Sequence, residues 1–138
     1  LVGVSEGAGL SVLAATDAAV QSAAQGVVAC GLGDKNELGW RLKDSLIYIT
    51  KAAPDEPSFS VLEIVDRMSP LPLLVLQSTH DEFVPRRELL AIMERASEPK
   101  RAELIEAADH RMSDNQAVLK RRLFEGIAWV DAHRPTRP

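Results

Sequence analysis

The sequence has 138 residues, of which 46% are hydrophobic and 26% charged, a balance that suits one globular domain with a substantial core. Its net charge is −4 and no stripe of Lys and Arg crosses it, which argues against nucleic acid or an anionic membrane surface as a partner. No apolar run approaches the ~20 residues of a membrane span, and the single cysteine, Cys30, lies in an apolar run that favours a buried structural role.

The chain begins with a Gly-x-Ser-x-Gly motif formed by Gly3, Ser5 and Gly7. Apolar residues precede it and a run rich in Gly, Ala and Leu follows, so the pattern predicts a strand end, a tight turn and a helix. Glycines lack Cβ atoms and therefore let strand and helix approach closely around a strained serine. Free N–H groups at the helix start would point at that serine. A plain glycine-rich turn that packs a helix on a sheet is the alternative interpretation.

Only Leu1 and Val2 precede the motif, whereas a buried parallel strand normally has about four to eight apolar residues. We therefore expect the chain to be the C-terminal part of a longer protein that contains the first strands and any signal peptide, so the sequence assigns no cellular location. Without those strands the sheet would expose a hydrophobic edge. On its own, the chain is expected to be insoluble, a homo-oligomer or inactive.

The following segments alternate between strand and helix patterns. In chain order we predict a buried helix over 7–25, a strand over 27–32, a helix over 37–51, a short helix over 60–68 capped by Ser58 or Ser60, a strand over 70–77, a helix over 86–96, a strand over 101–107 and a helix over 115–133 capped by Ser113 or Asp114. In the last helix, Leu119, Leu123, Ile127 and Val130 form the expected core stripe. Such alternation predicts an α/β fold with a mostly parallel sheet and helices on both faces.

Residues 1–138 are thus interpreted as one domain with an insertion at about 35–69. The insertion holds Trp40 and the only tyrosine, Tyr48. These aromatic side chains predict one wall of a substrate pocket, or a lid. Helices that simply pack on the core are an equally good interpretation of the same pattern.

Two polar residues follow the later strands at the points where a parallel sheet binds its ligands. Asp81 lies four residues after Gln77, and His110 lies three residues after Ala107. Because parallel strands share one carboxyl edge, we expect Ser5, Asp81 and His110 to meet there. The chain order Ser, Asp, His is the order found in α/β-hydrolases.

Each of these residues has a chemical role that its side chain can perform. Ser5 would be the nucleophile, with His110 as the base and later the acid. Asp81 would hold the imidazole in the right tautomer. The backbone N–H of Glu6 would supply one half of an oxyanion hole.

Other residues near these turns offer alternatives. Asp34 also follows a strand and is the rival acid, while His80 is the rival base within the turn of Asp81. Asp109 is interpreted as a loop or capping residue, and His133 as solvated. Four charged residues beside the turn are expected to form a solvated surface: Glu82, Arg86, Arg87 and Glu88.

The motifs Gly3-Val-Ser-Glu-Gly7, Ser78-Thr-His-Asp-Glu-Phe-Val-Pro85 and Ala108-Asp-His110 together resemble the C-terminal half of a serine α/β-hydrolase. Four shorter segments are similar to a bacterial branch that includes virulence-associated hydrolases: Asn36-Glu-Leu38, Trp40-Arg41, Thr50-Lys51 and Asp55-Glu-Pro57. The resemblance implies cleavage of an ester, thioester or related acyl bond in a small-molecule substrate, through an acyl-serine and with no metal or organic cofactor. The front half, with its second oxyanion donor, has no counterpart in this sequence. A non-catalytic binding or secretion-accessory protein with the same fold is the alternative.

Overall fold

The computed structural model describes residues 1–38 and 57–136. The strands in these residues are β1 Val2–Val4, β2 Val27–Cys30, β3 Lys35–Glu37, β4 Ser58–Ser60, β5 Leu73–Ser78 and β6 Lys100–Ile105. The helices are α1 Glu6–Ala14, α2 Ala18–Ala23, α3 Arg86–Arg95 and α4 Gln116–Ala132, and one 3₁₀ turn spans Val65–Met68. Within these ranges, no helix is long and apolar enough to cross a bilayer.

Four of the strands form one parallel sheet in the spatial order β1, β2, β5, β6. The register aligns Val4 with Cys30, Cys30 with Leu76, and Ser78 with Ile105. All four strands therefore end along the same edge, and the turns that follow them lie together. The predicted parallel sheet is confirmed.

Helices cover both faces of the sheet, as the alternation of side chains requires. One face turns Ala29 and Val75 towards the core that includes residues of α1, α3 and the 3₁₀ turn. The other face turns Val28 and Leu74 towards α4. The central strands β2 and β5 are buried along their whole length, which explains the apolar runs Val27–Cys30 and Leu73–Leu76.

The described ends of the insertion form an antiparallel strand pair, so Glu37 does not begin the predicted helix. Strand β3 pairs antiparallel with β4, with Asn36 opposite Phe59. Asn36 is buried, and its side-chain amide donates to the carbonyl of Gly33 at 2.8 Å. Long-range pairing therefore overrides the helical pattern at Glu37. Over 60–68, only Val65–Met68 is helical, and Ser58 and Ser60 belong to β4; the rest of the predicted 37–51 helix lies mainly outside the described residues.

The first predicted helix is two helices. Helix α1 ends at Ala14. Asp17 is the N-cap residue of α2, and its carboxylate accepts from the N–H groups of Ala19 and Val20 at 2.9 and 3.2 Å. No residue of α2 is buried, so the expectation of one buried helix over 7–25 is wrong in its second half. The cause is an N-cap residue that competes with helix continuation.

The last helix also differs from its prediction. Its N-cap residue is Asn115, whose side chain gives the helix no hydrogen bond, whereas Asp114 accepts from the N–H of Ala108. Val130 is buried, but Ile127 is 42% exposed and does not belong to the core. The predicted cap and one position of the predicted core stripe are therefore wrong.

Strand β1 and helix α1 meet at a distance that excludes a side chain at Gly3. A Cβ atom at Gly3 would lie 2.0 Å from the carbonyl oxygen of Gly7 and 2.6 Å from Ser11 Oγ. A Cβ atom at Gly7 would meet no atom of the described residues within 4 Å. The expected need for both glycines is thus right for Gly3 and wrong for Gly7.

Alanine at the two glycines should therefore have opposite effects. Gly3→Ala should lower the free energy of unfolding by about 1–3 kcal/mol, because the backbone of Gly7 cannot yield as a side chain could. Gly7→Ala, the matched control, should be neutral or should stabilise by up to about 1 kcal/mol through helix propensity. Urea unfolding of the full-length polypeptide measures both. Equal losses in the two variants would contradict the steric explanation.

Candidate active site

Ser5 occupies the turn between β1 and α1 with φ 53° and ψ −121°. A positive φ is unfavourable for a residue with a Cβ and costs about 1–3 kcal/mol. The N–H of Ser5 donates to the carbonyl of Cys30 at 2.9 Å, which fixes the turn to the end of β2. Ser5 is exposed, and α1 does not use its hydroxyl as a cap. The turn thus presents the hydroxyl at the carboxyl edge of the sheet.

Glu6 is the first residue of α1. Its N–H belongs to the helix N-terminus, where backbone donors have no partner within the helix, and no hydrogen bond found within residues 1–38 and 57–136 uses it. Its carboxylate accepts from the N–H of Glu37 at 3.1 Å and so joins the Ser5 turn to the β3–β4 hairpin. The residue that follows Ser5 therefore has a backbone donor without a partner among the described residues.

Asp81 and His110, which come from different turns, form a direct pair. Asp81 Oδ2 lies 2.8 Å from His110 Nδ1, and the two side chains are 1% and 8% exposed. Asp81 Oδ1 accepts from the N–H groups of Phe83 and Val84 at 3.0 and 2.8 Å. These donors fix the carboxylate so that its second oxygen faces the imidazole. With Nδ1 on the carboxylate, Nε2 is the ring nitrogen left for base chemistry.

The imidazole of His110 packs on Gly31, the residue after β2. A Cβ atom at Gly31 would lie 2.5 Å from His110 Cε1 and 3.1 Å from each ring nitrogen, and its φ of 62° also favours glycine. Gly31 follows Cys30, whose carbonyl holds the N–H of Ser5. The ring therefore lies at the strand end that also anchors the serine. Sequence analysis missed Gly31 because the predicted strand over 27–32 included it, whereas β2 ends at Cys30.

Several bonds join the turn of Asp81 to the turn of His110. Glu82 Oε2 accepts from the backbone N–H of His110 at 2.7 Å. The hydroxyl of Ser78 donates to the carbonyl of Ala107 at 3.0 Å. The ring of Phe83, which is 70% exposed, stands edge-on to the imidazole with centroids 5.4 Å apart. The two turns thus form one unit.

The charged residues beside the turn are not simply a solvated surface. Besides Glu82, Glu88 has a structural partner, because its Oε1 accepts from the N–H of Asp34. Arg86 and Arg87 are exposed, as expected. Glu82 is also exposed, as expected, but it has a hydrogen-bond partner as well, and only Glu88 is partly buried.

The rival residues have other partners. The carboxylate of Asp34 accepts from the hydroxyl of Ser60 at 2.5 Å and from the N–H of Leu62 at 2.9 Å, so it belongs to the hairpin. The Nδ1 atom of His80 lies 3.1 Å from the carbonyl of Ala107.

Asp109 and Cys30 also have structural roles. Hydrogen bonds from the N–H and hydroxyl of Ser113 lower the pKa of Asp109, an arrangement that shapes the histidine turn. Burial raises the pKa of the Cys30 thiol to about 11, which keeps it protonated and non-nucleophilic near neutral pH.

Trp40 and Tyr48, the expected pocket wall, lie outside the described residues. In the described parts of the chain, no three His, Cys, Asp or Glu side chains are grouped so as to hold a metal ion.

The contact between Glu82 and the His110 backbone can be tested by amide exchange. Glu82→Ala removes the acceptor and should speed exchange of the His110 amide proton about fivefold or more, since one hydrogen bond is lost. Glu82→Gln keeps a carbonyl acceptor at the same distance and should stay close to the original rate. NMR-detected exchange measures both, and an unchanged rate in Glu82→Ala would contradict the contact.

No protein-family model and no curated protein sequence matches the chain. Solved structures do resemble it. They include an α/β-hydrolase, GrgF, from Penicillium sp. sh18, with TM-score 0.60 and 14% identity. A monoacylglycerol lipase from Paleococcus ferrophilus gives TM-score 0.63 and 16% identity, and the esterase domain of a Rhodothermus marinus protein gives 0.63 and 19%.

These matches cover 97%, 96% and 96% of this chain, but 63%, 68% and 59% of the respective structures. The chain therefore spans about two thirds or less of the length of the proteins it resembles. At these identities the likeness shows the fold.

Proposed function

We propose that this chain, which has the α/β-hydrolase fold, carries the reacting groups of a serine hydrolase that cleaves an ester, thioester or related acyl bond. The observation that carries the proposal is the buried Asp81–His110 pair, packed on Gly31 at the strand end that holds Ser5. A carboxylate on Nδ1, a free Nε2 and an exposed serine in a strained turn are the three features that this chemistry needs.

In the proposed reaction, Ser5 Oγ attacks the acyl carbon while His110 Nε2 takes the hydroxyl proton. Asp81 holds the imidazole and stabilises the imidazolium. His110 then gives that proton to the leaving alcohol or thiol as its bond to the acyl carbon breaks. Water, deprotonated by His110, attacks the acyl-serine, and the acid leaves as Ser5 recovers its proton.

Negative charge on the carbonyl oxygen would be stabilised by the N–H of Glu6 at the start of α1. One such donor is worth about 2.7–4 kcal/mol in other hydrolases. The family resemblance implies a second donor from a loop outside these residues. The bond from the Glu6 carboxylate to the hairpin supports this role, because it restricts the first turn of the helix.

The substrate proposed for this site is a small acyl compound. Two of the similar structures are described as a monoacylglycerol lipase and an esterase domain, and both descriptions fit acyl-bond chemistry. We place Trp40 and Tyr48 at the acyl pocket, in an insertion whose β3–β4 stem is joined to the Ser5 turn through Glu6. The segments Asn36-Glu-Leu38 and Asp55-Glu-Pro57 support a place in the bacterial branch with virulence-associated hydrolases.

Removing the nucleophile should abolish turnover without unfolding the protein. Ser5→Ala in the full-length polypeptide should reduce hydrolysis of p-nitrophenyl acetate by roughly 10⁴-fold or more and should prevent labelling by a fluorophosphonate probe. Ser22→Ala, an exposed serine in α2, is the matched control and should behave like the original protein. Absence of labelling in the original protein would instead favour the non-catalytic binding protein.

The acyl pocket can be tested with the two tryptophans. Trp40→Ala should change the ratio of kcat/KM between p-nitrophenyl acetate and p-nitrophenyl octanoate by about fivefold or more, because chain-length discrimination comes from the pocket wall. Trp129→Ala removes a tryptophan of α4 that stacks on His133. It should lower Tm and leave the ratio unchanged. A lower Tm with an unchanged ratio in Trp40→Ala would mean that Trp40 is a core residue.

A further inference from the structure

One buried polar side chain has no direct part in the proposed reaction, yet it lies beside Asp81. Gln77 is the penultimate residue of β5, and 2% of its surface is exposed. It follows four buried apolar residues, Leu73–Leu76. Burying an amide is unfavourable unless protein partners replace its water, so the contacts of Gln77 have to explain its presence.

The amide of Gln77 holds the turn that carries Asp81. Its Nε2 donates to the carbonyl oxygen of Val84, while the N–H of Val84 donates to Asp81 Oδ1 at 2.8 Å. The backbone of Val84 is therefore held on both sides. The other oxygen of Asp81 lies 2.8 Å from His110 Nδ1, so three successive hydrogen bonds connect Gln77 with the imidazole.

The side-chain atom that faces the Val84 carbonyl has to be a hydrogen-bond donor, because the carbonyl oxygen can only accept. The NH₂ group of Gln77 meets this requirement. The amide oxygen Oε1 then points away, and it is buried with no partner among the described residues. A cavity of about 70 Å³ is lined by Gln77 together with Asp81, Val84 and Arg86. An apolar side chain would avoid the unpaired Oε1. Stability of the core therefore does not account for glutamine here, whereas the bond to Val84 does.

We propose that Gln77 is a positioning residue for the Asp81–His110 pair, an inference that rests on the proposed function. Its Nε2–H fixes Val84, whose N–H, together with that of Phe83, keeps Asp81 Oδ1 occupied. Oδ2 is thereby directed at His110 Nδ1, which keeps the ring proton there and leaves Nε2 open. Without the donor, the turn gains freedom and the carboxylate is no longer held against the imidazole.

The tautomer of His110 reports this arrangement without any need for turnover. ¹⁵N NMR of the full-length polypeptide distinguishes a proton on Nδ1 from one on Nε2, and His80→Asn and His133→Asn variants assign the signals. In the original protein we expect the Nδ1–H tautomer to dominate. Asp81→Asn, which removes the carboxylate, is the positive control and should shift the ratio towards Nε2–H.

Two substitutions remove the donor in different ways. Gln77→Met keeps the volume and adds no charge, and Gln77→Glu keeps the shape but replaces the NH₂ group with an acceptor when ionised. Both should raise the Nε2–H share about twofold or more and should speed exchange of the Nδ1 proton with water. Val130→Ala, a core change on α4 at the opposite face from α1 and α3, is the matched control for lost stability and should leave the tautomer unchanged.

The outcomes separate a positioning role from a structural one. If Gln77→Met loses stability as Val130→Ala does and keeps the original tautomer ratio, the inference is overturned. A buried charge could prevent Gln77→Glu from folding, and thermal unfolding shows whether it is folded. If it is not, the result for Gln77→Met decides.

A kinetic measurement adds a second readout in the active polypeptide. Gln77→Met should lower kcat about tenfold or more with KM nearly unchanged, since a misdirected base affects the reaction step and not binding. Normal kcat in a folded Gln77→Met variant would contradict the inference. If the original protein fails to react with the fluorophosphonate probe, the proposed function is wrong. The tautomer experiment still tests Gln77 in that case.

Discussion

The parallel pairing of β1, β2, β5 and β6 is the constraint on which the candidate site depends. Because the four strands run in one direction, the turns after them share one edge of the sheet. Ser5 follows β1, Gly31 follows β2, Asp81 follows β5 and His110 follows β6. An antiparallel β6 would place the histidine at the opposite edge. The direction of the strands alone therefore brings these residues to one edge of the sheet, independently of their side-chain contacts.

Side-chain carboxylates then give these turns their shape. A turn that leaves a sheet has backbone N–H groups without ladder partners, and each needs an acceptor. Ionised oxygens form stronger hydrogen bonds with them than neutral oxygens do. Several carboxylates have this role around the site, including Asp81 towards Phe83 and Val84, Glu82 towards His110, Glu88 towards Asp34, Asp109 towards Ser113 and Asp114 towards Ala108. Some of the acidic residues of the chain therefore stabilise its turns by accepting these hydrogen bonds.

The parallel sheet and the residues at its carboxyl edge could be predicted from the sequence, because both follow from local patterns. Apolar runs followed by polar turns predict the strands, and strand direction then brings Asp81 and His110 close together. The break at Asp17 also has a signal in the sequence, since aspartate is a common N-cap residue, although the apolar composition of 7–25 favours one continuous helix. Strand β3 could not be predicted from its own residues, because it depends on pairing with Ser58–Ser60. The contact that identifies Gln77 is likewise tertiary.

Among the described residues, backbone φ angles between 50° and 65° occur at three positions near the carboxyl edge of the sheet, and each meets a different requirement. At Ser5, with φ 53°, a residue with a side chain is present despite the strain, as the proposed nucleophile requires. Met112, with φ 55°, is also strained, and its buried side chain fastens the histidine turn to the core under α4. At Gly31, with φ 62°, the side chain is absent because the ring of His110 occupies its space. The strained conformations of Ser5 and Met112 therefore lie in the turns that carry the serine and the histidine, and packing elsewhere in the domain has to stabilise them.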